Sequence, residues 1–496
     1  MSRSICSRCL SRSQFTLETS ASSPLPLNTA QRAAFSTTSA LAANPPKKKG
    51  PVTAKPASRQ GKTLRLNKNV RESTGKPPAQ GERKAFRKKI VLSNTNALEV
   101  QGLQDLNLEN SSAEKLAHLE GQVLALTDAQ VSALRTLDVF KPTQAWNLFR
   151  KPATVIRKET VEIAKALESA QGGEDANAKQ VIKRILFGEK GSGKTVLQLQ
   201  AMALALNKGW VVLHFPNGQD LTNNQTSYHP DESGKLYVQP EYTANLLKTI
   251  ASANQKVLSG MQLSMKHTLP FPVQENISLS RFAEMGANNA ENAHAVYIAL
   301  MKELTAPSKP TTGKGQQRPP LFLGFDAIDH VMRLSKYLNS EAGLVHAHDL
   351  ALVNDFTRYM TGEHALPNGG MILAAVSESN RAASETLDYL LDTKYGAKTN
   401  WAEPRFNPHT GWKAEPMPAW SPYAPFDERV GKALEKMDVQ KVEGLSKAEA
   451  KGLMEYYALS GVLRGAVTER LVGEKWSLSG GGIIGELEKA AVKTRI

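Results

Sequence analysis

The segment between residues 181 and 207 constrains the fold of this 496-residue chain more than any other. Val181-Ile182-Lys183-Arg184-Ile185-Leu186-Phe187 is rich in β-branched and apolar residues and predicts a buried strand. Gly188-Glu189-Lys190-Gly191-Ser192-Gly193-Lys194-Thr195 follows at once and satisfies G-x-x-x-x-G-K-[ST] throughout. Val196, Leu197, Leu199, Met202, Leu204 and Leu206 then predict a helix, with Gly209 just past its end. Strand, glycine loop and helix in this order predict an α/β chain: a P-loop NTPase (AAA-like) core with a parallel sheet, a helical insertion and a small, mostly helical C-terminal domain.

The residue types explain the chemistry. Glycines let backbone N–H groups converge on phosphates, and the helix N-terminus adds its positive dipole end. Gly188, Glu189, Lys190, Gly191, Ser192, Gly193, Lys194 and Thr195 are therefore the candidate nucleotide-binding residues, with Lys194 reaching the β/γ-phosphates and the Thr195 hydroxyl on Mg²⁺. A second apolar run, Leu321-Phe322-Leu323-Gly324-Phe325, ends in Asp326, the Walker B pattern in which a buried strand delivers a carboxylate to the metal. Thr195 and Asp326 are thus the candidate Mg²⁺ ligands.

The next residue is Ala327, where many ATPases of this architecture carry a water-activating Glu. Asp329 lies three residues on and is expected to point elsewhere. Without a general base, phosphoryl transfer loses much of its acceleration, so at most slow GTPase or ATPase activity is expected and no catalytic residue is assigned. An active AAA-like ATPase remodelling protein or nucleic acid is the alternative, and Ala327 weighs against it.

The surrounding chain divides by composition. Residues 96–153 form a lead-in segment, with Leu116, Leu119, Val123, Leu124 and Leu126 at helical spacing and an extended stretch bracketed by Phe140-Lys141-Pro142 and Arg150-Lys151-Pro152. The nucleotide-binding domain is expected over 154–400. It begins with a helix over 154–170; Trp210–Phe215 and Gly369–Ser377 are further strands, 240–305 is a helical insertion, and 306–320 is a Pro/Gly-rich flexible loop. His214 is expected to be a structural strand residue. Ser377 or Asn380 is a candidate γ-phosphate contact or a simple strand-end cap. Residues 401–427 hold six prolines and six aromatics, which predicts an irregular strap. Residues 428–496 read as helical; Ser446 and Glu449 form a capping box, and Arg464 is a candidate to reach back to the nucleotide.

The net positive charge is confined to the N-terminal segment. The whole chain carries +15, yet residues 1–95 hold 19 Lys+Arg against Glu18, Glu72 and Glu82, leaving the remainder nearly neutral. Residues 1–35 are Arg- and Ser-rich and acid-poor, the composition of a mitochondrial transit peptide, and Arg32-Ala33-Ala34-Phe35-Ser36-Thr37-Thr38 resembles a matrix-protease cleavage region. Residues 36–95 form a basic arm, expected to be disordered when free and suited to an RNA phosphate backbone. Cys6 and Cys9 lack two further ligands at zinc spacing, and two cysteines exclude a disulfide framework. No apolar stretch approaches the roughly 18–20 residues of a spanning helix, so no membrane span is expected.

Taken with Leu213-His214-Phe215-Pro216 and the Phe140–Pro152 segment, the Gly188–Thr195 loop resembles the death-associated protein 3 family, over roughly residues 140–400. That resemblance implies a component of the mitochondrial small ribosomal subunit, in the matrix, supporting mitochondrial translation. It also implies contacts with small-subunit rRNA and neighbouring ribosomal proteins, and bound GTP or GDP with Mg²⁺. The chain is not expected to form a homo-oligomer. N-K-x-D is absent after Asp326, so guanine preference comes from the resemblance alone and ATP stays an alternative.

Overall fold

The computed structural model describes residues 90–172, 180–274, 276–308, 317–398, 405–407, 411–413 and 425–492. The transit peptide, the basic arm and the Cys6/Cys9 pair lie outside the described residues, as do 309–316 of the expected flexible loop and most of the strap.

Five parallel strands form the central sheet. They are β1 (Val181–Phe187), β2 (Val211–Phe215), β3 (Leu321–Asp326), β4 (Gly370–Ala375) and β5 (Asp438–Lys441), in the order β5-β1-β4-β3-β2. β4 lies between the strand that feeds the glycine loop and the strand that ends in Asp326; Ala375 is in register with both Leu186 and Asp326. The expected α/β core with a parallel sheet is therefore present, and the period-two alternation of its strands shows why both faces are covered. Phe322, Met371, Leu373 and Val212 pack with α1 (Lys158–Gln171) and α2 (Lys194–Asn207). Leu323, Phe325, Ile372, Ala374 and Leu213 face the opposite side, against α3 (Pro240–Ala253), α4 (Leu279–Asn288), α5 (Ala290–Leu304) and α6 (Ala351–Thr361). α3 to α5 are the expected insertion.

Arg318, just before β3, and Glu303, near the end of α5, pin this insertion to the sheet. Glu303 is fully buried and accepts from Arg318 at 2.6 Å, the Ser264 hydroxyl at 2.7 Å, the Met265 backbone at 2.8 Å and His267 at 3.0 Å. Burial alone would raise the Glu303 carboxyl; the hydrogen bonds from Ser264, His267 and the Met265 backbone hold it below its ordinary value instead.

Four expectations change. Val123–Ala125, placed on a helix by spacing, is a strand paired antiparallel with Ala153–Val155, while helices occupy Ala113–His118 and Asp128–Thr136 on either side. The first core helix accordingly starts at Lys158 rather than 154. Within the strap, Arg405–Asn407 and Gly411–Lys413 pair as a short hairpin, so this Pro-rich segment is not wholly irregular. Finally β5, expected inside a helical C-terminal domain, is the edge strand of the core sheet beside β1. The helical part proper begins with α7 (Lys447–Leu459) and ends with α8 (Ile484–Ala491). The Ser446–Glu449 capping box is present, and Glu449 also accepts from the Lys158 backbone at 3.0 Å, so one carboxylate caps both α7 and α1.

Candidate functional site

β1 delivers the glycine loop to the C-terminal edge of the sheet, where open α/β folds place their ligands. Gly188 leaves the strand at φ 140°, and a Cβ there would lie 2.4 Å from the Val442 carbonyl beyond β5, so a side chain has no room. Gly193, at φ 96°, is the N-cap of α2 in the left-handed region that glycine enters without strain. Lys194 and Thr195 are thereby set at the head of α2. The Lys194 ammonium donates to the carbonyls of Gly188 at 2.7 Å and Glu189 at 2.8 Å, bridging the base of its own loop. Burial lowers its pKa, against the field of Glu378 and Asp326.

Across β4, Asp326 meets Thr195: the hydroxyl lies 3.3 Å from Oδ2, while Oδ1 accepts the Ala327 backbone at 3.0 Å. The structure thus brings together the two residues expected to face Mg²⁺, and two hard oxygen donors side by side fit that ion. Burial raises the Asp326 carboxyl above its ordinary value; Lys141, the Ala327 backbone and Thr195 offset only part of this, and Asp329 adds to it.

Ala327 sits in the left-handed region at φ 56°. Asp329 is fully buried and uses both oxygens on the loop after β4, accepting from the Ser377 backbone at 2.9 Å and the Ala382 backbone at 2.7 Å. The Asn380 amide donates to Gln219 at 2.6 Å. His214 is buried in β2, and burial followed by the nearby Lys141 pushes its pKa down to about 3, which keeps it neutral and structural.

Several residues at the site were not assigned from sequence. Arg157, buried before α1, donates to the Ser192 carbonyl of the glycine loop at 2.8 Å and to the Glu443 carbonyl at 2.7 Å. Lys141, read only as part of an extended bracket, donates to the Pro216 carbonyl at 2.6 Å and lends positive charge to Asp326. The C-terminal element that reaches the loop is the start of α8. The Gly485 N–H donates to the Gly191 carbonyl at 3.0 Å, and Ile484 packs against Gly193, whereas Arg464 is exposed after α7. No local signal marks any of these contacts, because each joins residues far apart in sequence.

The sheet order, the glycine loop and the Asp326 strand define a protein with a P-loop NTPase-type core. The sequence profile of the mitochondrial ribosomal death-associated protein 3 family matches residues 154–490. The small ribosomal subunit protein mS29 of Neurospora crassa is 38% identical over 455 residues, 90% of this chain and 91% of its own length. The proteins of that name in Schizosaccharomyces pombe and Mus musculus are each 22% identical, over 73% and 49% of this chain and 69% and 59% of their own. Among solved structures, a Walker-type ATPase of Pyrococcus abyssi aligns over 72% of this chain and 70% of its own at 14% identity and TM-score 0.30, too remote a likeness to bear on the fold. The chain belongs to the mitochondrial ribosomal death-associated protein 3 family. The mitochondrial destination expected from the N-terminal composition agrees with that membership.

Proposed function

We propose that this protein is a structural component of the small subunit of the mitochondrial ribosome and holds a purine nucleotide, guanine favoured, with Mg²⁺ and little or no turnover. Family membership and the name carried by the relatives support the ribosomal half. The basic composition of residues 36–95 suits contact with small-subunit rRNA, and the nearly neutral body suits contact with neighbouring proteins.

One observation carries the nucleotide half: Lys194 and Thr195 stand at the head of α2 with the under-compensated Asp326 carboxylate 3.3 Å from the Thr195 hydroxyl. When bound, Mg²⁺ would be held by Thr195 and Asp326 and would neutralise phosphate charge. The chain itself supplies N–H groups from Gly188 to Thr195 and the Lys194 ammonium. Slow turnover follows from what succeeds Asp326. Ala327 has no proton acceptor, and the Asp329 oxygens are engaged by two backbone N–H groups, so neither position supplies a base.

Two measurements test this reading. In a matrix lysate fractionated at low and high salt, the chain should sediment with the small ribosomal subunit; a soluble assembly independent of that subunit would reject the ribosomal half. Purified protein should bind guanine nucleotide and hydrolyse it far more slowly than once per second, and turnover of several per second would reject the slow-turnover half.

A further inference from the structure

Two carbonyls of the glycine loop are fastened by residues from outside it. The Gly191 carbonyl accepts the Gly485 N–H at 3.0 Å, and the Ser192 carbonyl accepts the Arg157 guanidinium at 2.8 Å. The N–H groups of Gly191, Gly193, Lys194 and Thr195 have no acceptor among the described residues. Peptide geometry links the two facts. A trans peptide is planar, with its C=O and N–H on opposite sides, so the contact that holds the Ser192 oxygen also sets where the Gly193 N–H points. Left untethered, that peptide would turn easily, because Gly193 at φ 96° lacks the Cβ that restricts other residues. Arg157 is itself held rigidly. It is 3% exposed, and the nitrogen not on Ser192 donates to the Glu443 carbonyl at 2.7 Å and to the Glu159 carboxylate at 3.2 Å. Its backbone N–H donates to the Thr160 hydroxyl at 3.2 Å in the first turn of α1. A buried ion pair such as Arg157–Glu159 adds little net stability, since desolvation offsets its attraction, so stability alone gives a weak reason for a guanidinium here.

We propose that Arg157 is a positioning residue for nucleotide binding: it holds the Ser192–Gly193 peptide so that the Gly193 N–H is turned to the phosphates. This rests on the nucleotide reading above and names what pre-forms the loop. Arg157 touches no part of the ligand and acts through the carbonyl it holds. The planar fork of the guanidinium suits this task, because one nitrogen takes Ser192 while the other takes Glu443, just past β5. The loop is thereby tied to the chain on its far side, and the entropy of ordering its glycines is met on folding instead of on binding. Removing Arg157 should therefore weaken the ligand's hold even where the fold survives.

The test uses the purified full-length chain with Mg²⁺, titrated with GDP and with ADP well below the melting temperature of each variant. Arg157→Met alone would strand Glu159, so it is combined with Glu159→Gln, which leaves no unpaired charge. The double variant should bind its nucleotide about tenfold or more weakly, the loss expected when one hydrogen bond to a charged group is misplaced. Arg157→Lys, a point charge without the planar fork, should recover only part of that loss. Glu449→Ala is the control for a merely structural role. It removes the carboxylate that caps α1 at Lys158 and α7 at Ser446 but touches no residue of the loop. It should lower the melting temperature and leave nucleotide affinity within about twofold of wild type. A folded double variant with wild-type affinity would overturn the proposal. So would Glu449→Ala weakening binding as much as the double variant does, since any loosening of the joint would then suffice. If the double variant does not fold, Arg157→Lys decides by the same titration, and wild-type affinity there overturns the proposal. If the wild type binds neither nucleotide, the nucleotide reading falls and this inference with it. If it binds one and the Arg157 variants match it, this inference alone falls.

Discussion

Two buried carboxylates mark the opposite ends of β3, and they are finished differently. Glu303, beside Arg318 where the strand begins, has a cation, a hydroxyl, an imidazole and backbone N–H groups within 3.1 Å, and its pKa is held down. Asp326, where the strand ends, has a hydroxyl at 3.3 Å and its neighbour's backbone N–H, and its pKa is raised. A carboxylate satisfied by the chain's own donors is part of the structure. One left short of positive charge next to a glycine loop is suited to a ligand from outside. Asp329 belongs with Glu303 in this respect, since both oxygens are bound to backbone N–H groups.

The contrast is most exposed to failure at Glu303. Glu303→Ala should cost about 3–5 kcal/mol in denaturant unfolding with or without nucleotide, because it strands Arg318 in the interior. A loss under about 1 kcal/mol would mean the pair is solvated and the comparison void. Asp326→Asn should behave in the opposite way: the bare protein keeps or gains stability, but the Mg²⁺-dependent stabilisation by nucleotide disappears. Lys194→Ala should lose the same stabilisation, about 2.7 kcal/mol at a ligand concentration 100 times Kd. Equal gains by wild type and either variant would remove Asp326 or Lys194 from the ligand's reach.

A smaller effect is expected where the glycine loop meets β5. Gly188→Ala places a Cβ against the Val442 carbonyl in a backbone conformation alanine resists, and should cost about 2 kcal/mol by thermal unfolding. An unchanged melting temperature would show that the loop and the edge strand are not in close contact. The smallest effect is a slope with pH. The Glu303 pKa is lowered on folding from 4.5, so its contribution is fully present above that value and is lost as pH falls through the folded pKa. Wild type should therefore show an acid-side loss of stability that Glu303→Ala lacks. Parallel pH profiles would contradict the assigned direction.

The site was legible where its chemistry is local. Gly188–Thr195 and the Leu321–Asp326 strand announce themselves because phosphate and metal binding need residues at fixed short spacing after a strand. Glu303 was not, because its donors come from residues 264–267 and 318, which only the fold brings together. The contacts of Arg157, Lys141 and Gly485 carry no local signal for the same reason. β5 was missed because Asp438-Val439-Gln440-Lys441 is a four-residue edge strand with one strongly apolar side chain. Val123–Ala125 fits a helical spacing as well as a strand; pairing with Ala153–Val155 decided it. What sequence spacing cannot supply is the partner of a short segment.

Whether Lys194, Thr195 and Asp326 hold a nucleotide within a ribosomal component is tested most directly by what the purified chain carries. The purified chain is denatured and the released small molecules are separated and quantified, for wild type and for Lys194→Ala. About one purine nucleotide per wild-type chain, and essentially none from the variant, is the predicted result. A wild-type chain that releases none, and that gains no thermal stability from GTP or ATP with Mg²⁺, would contradict it.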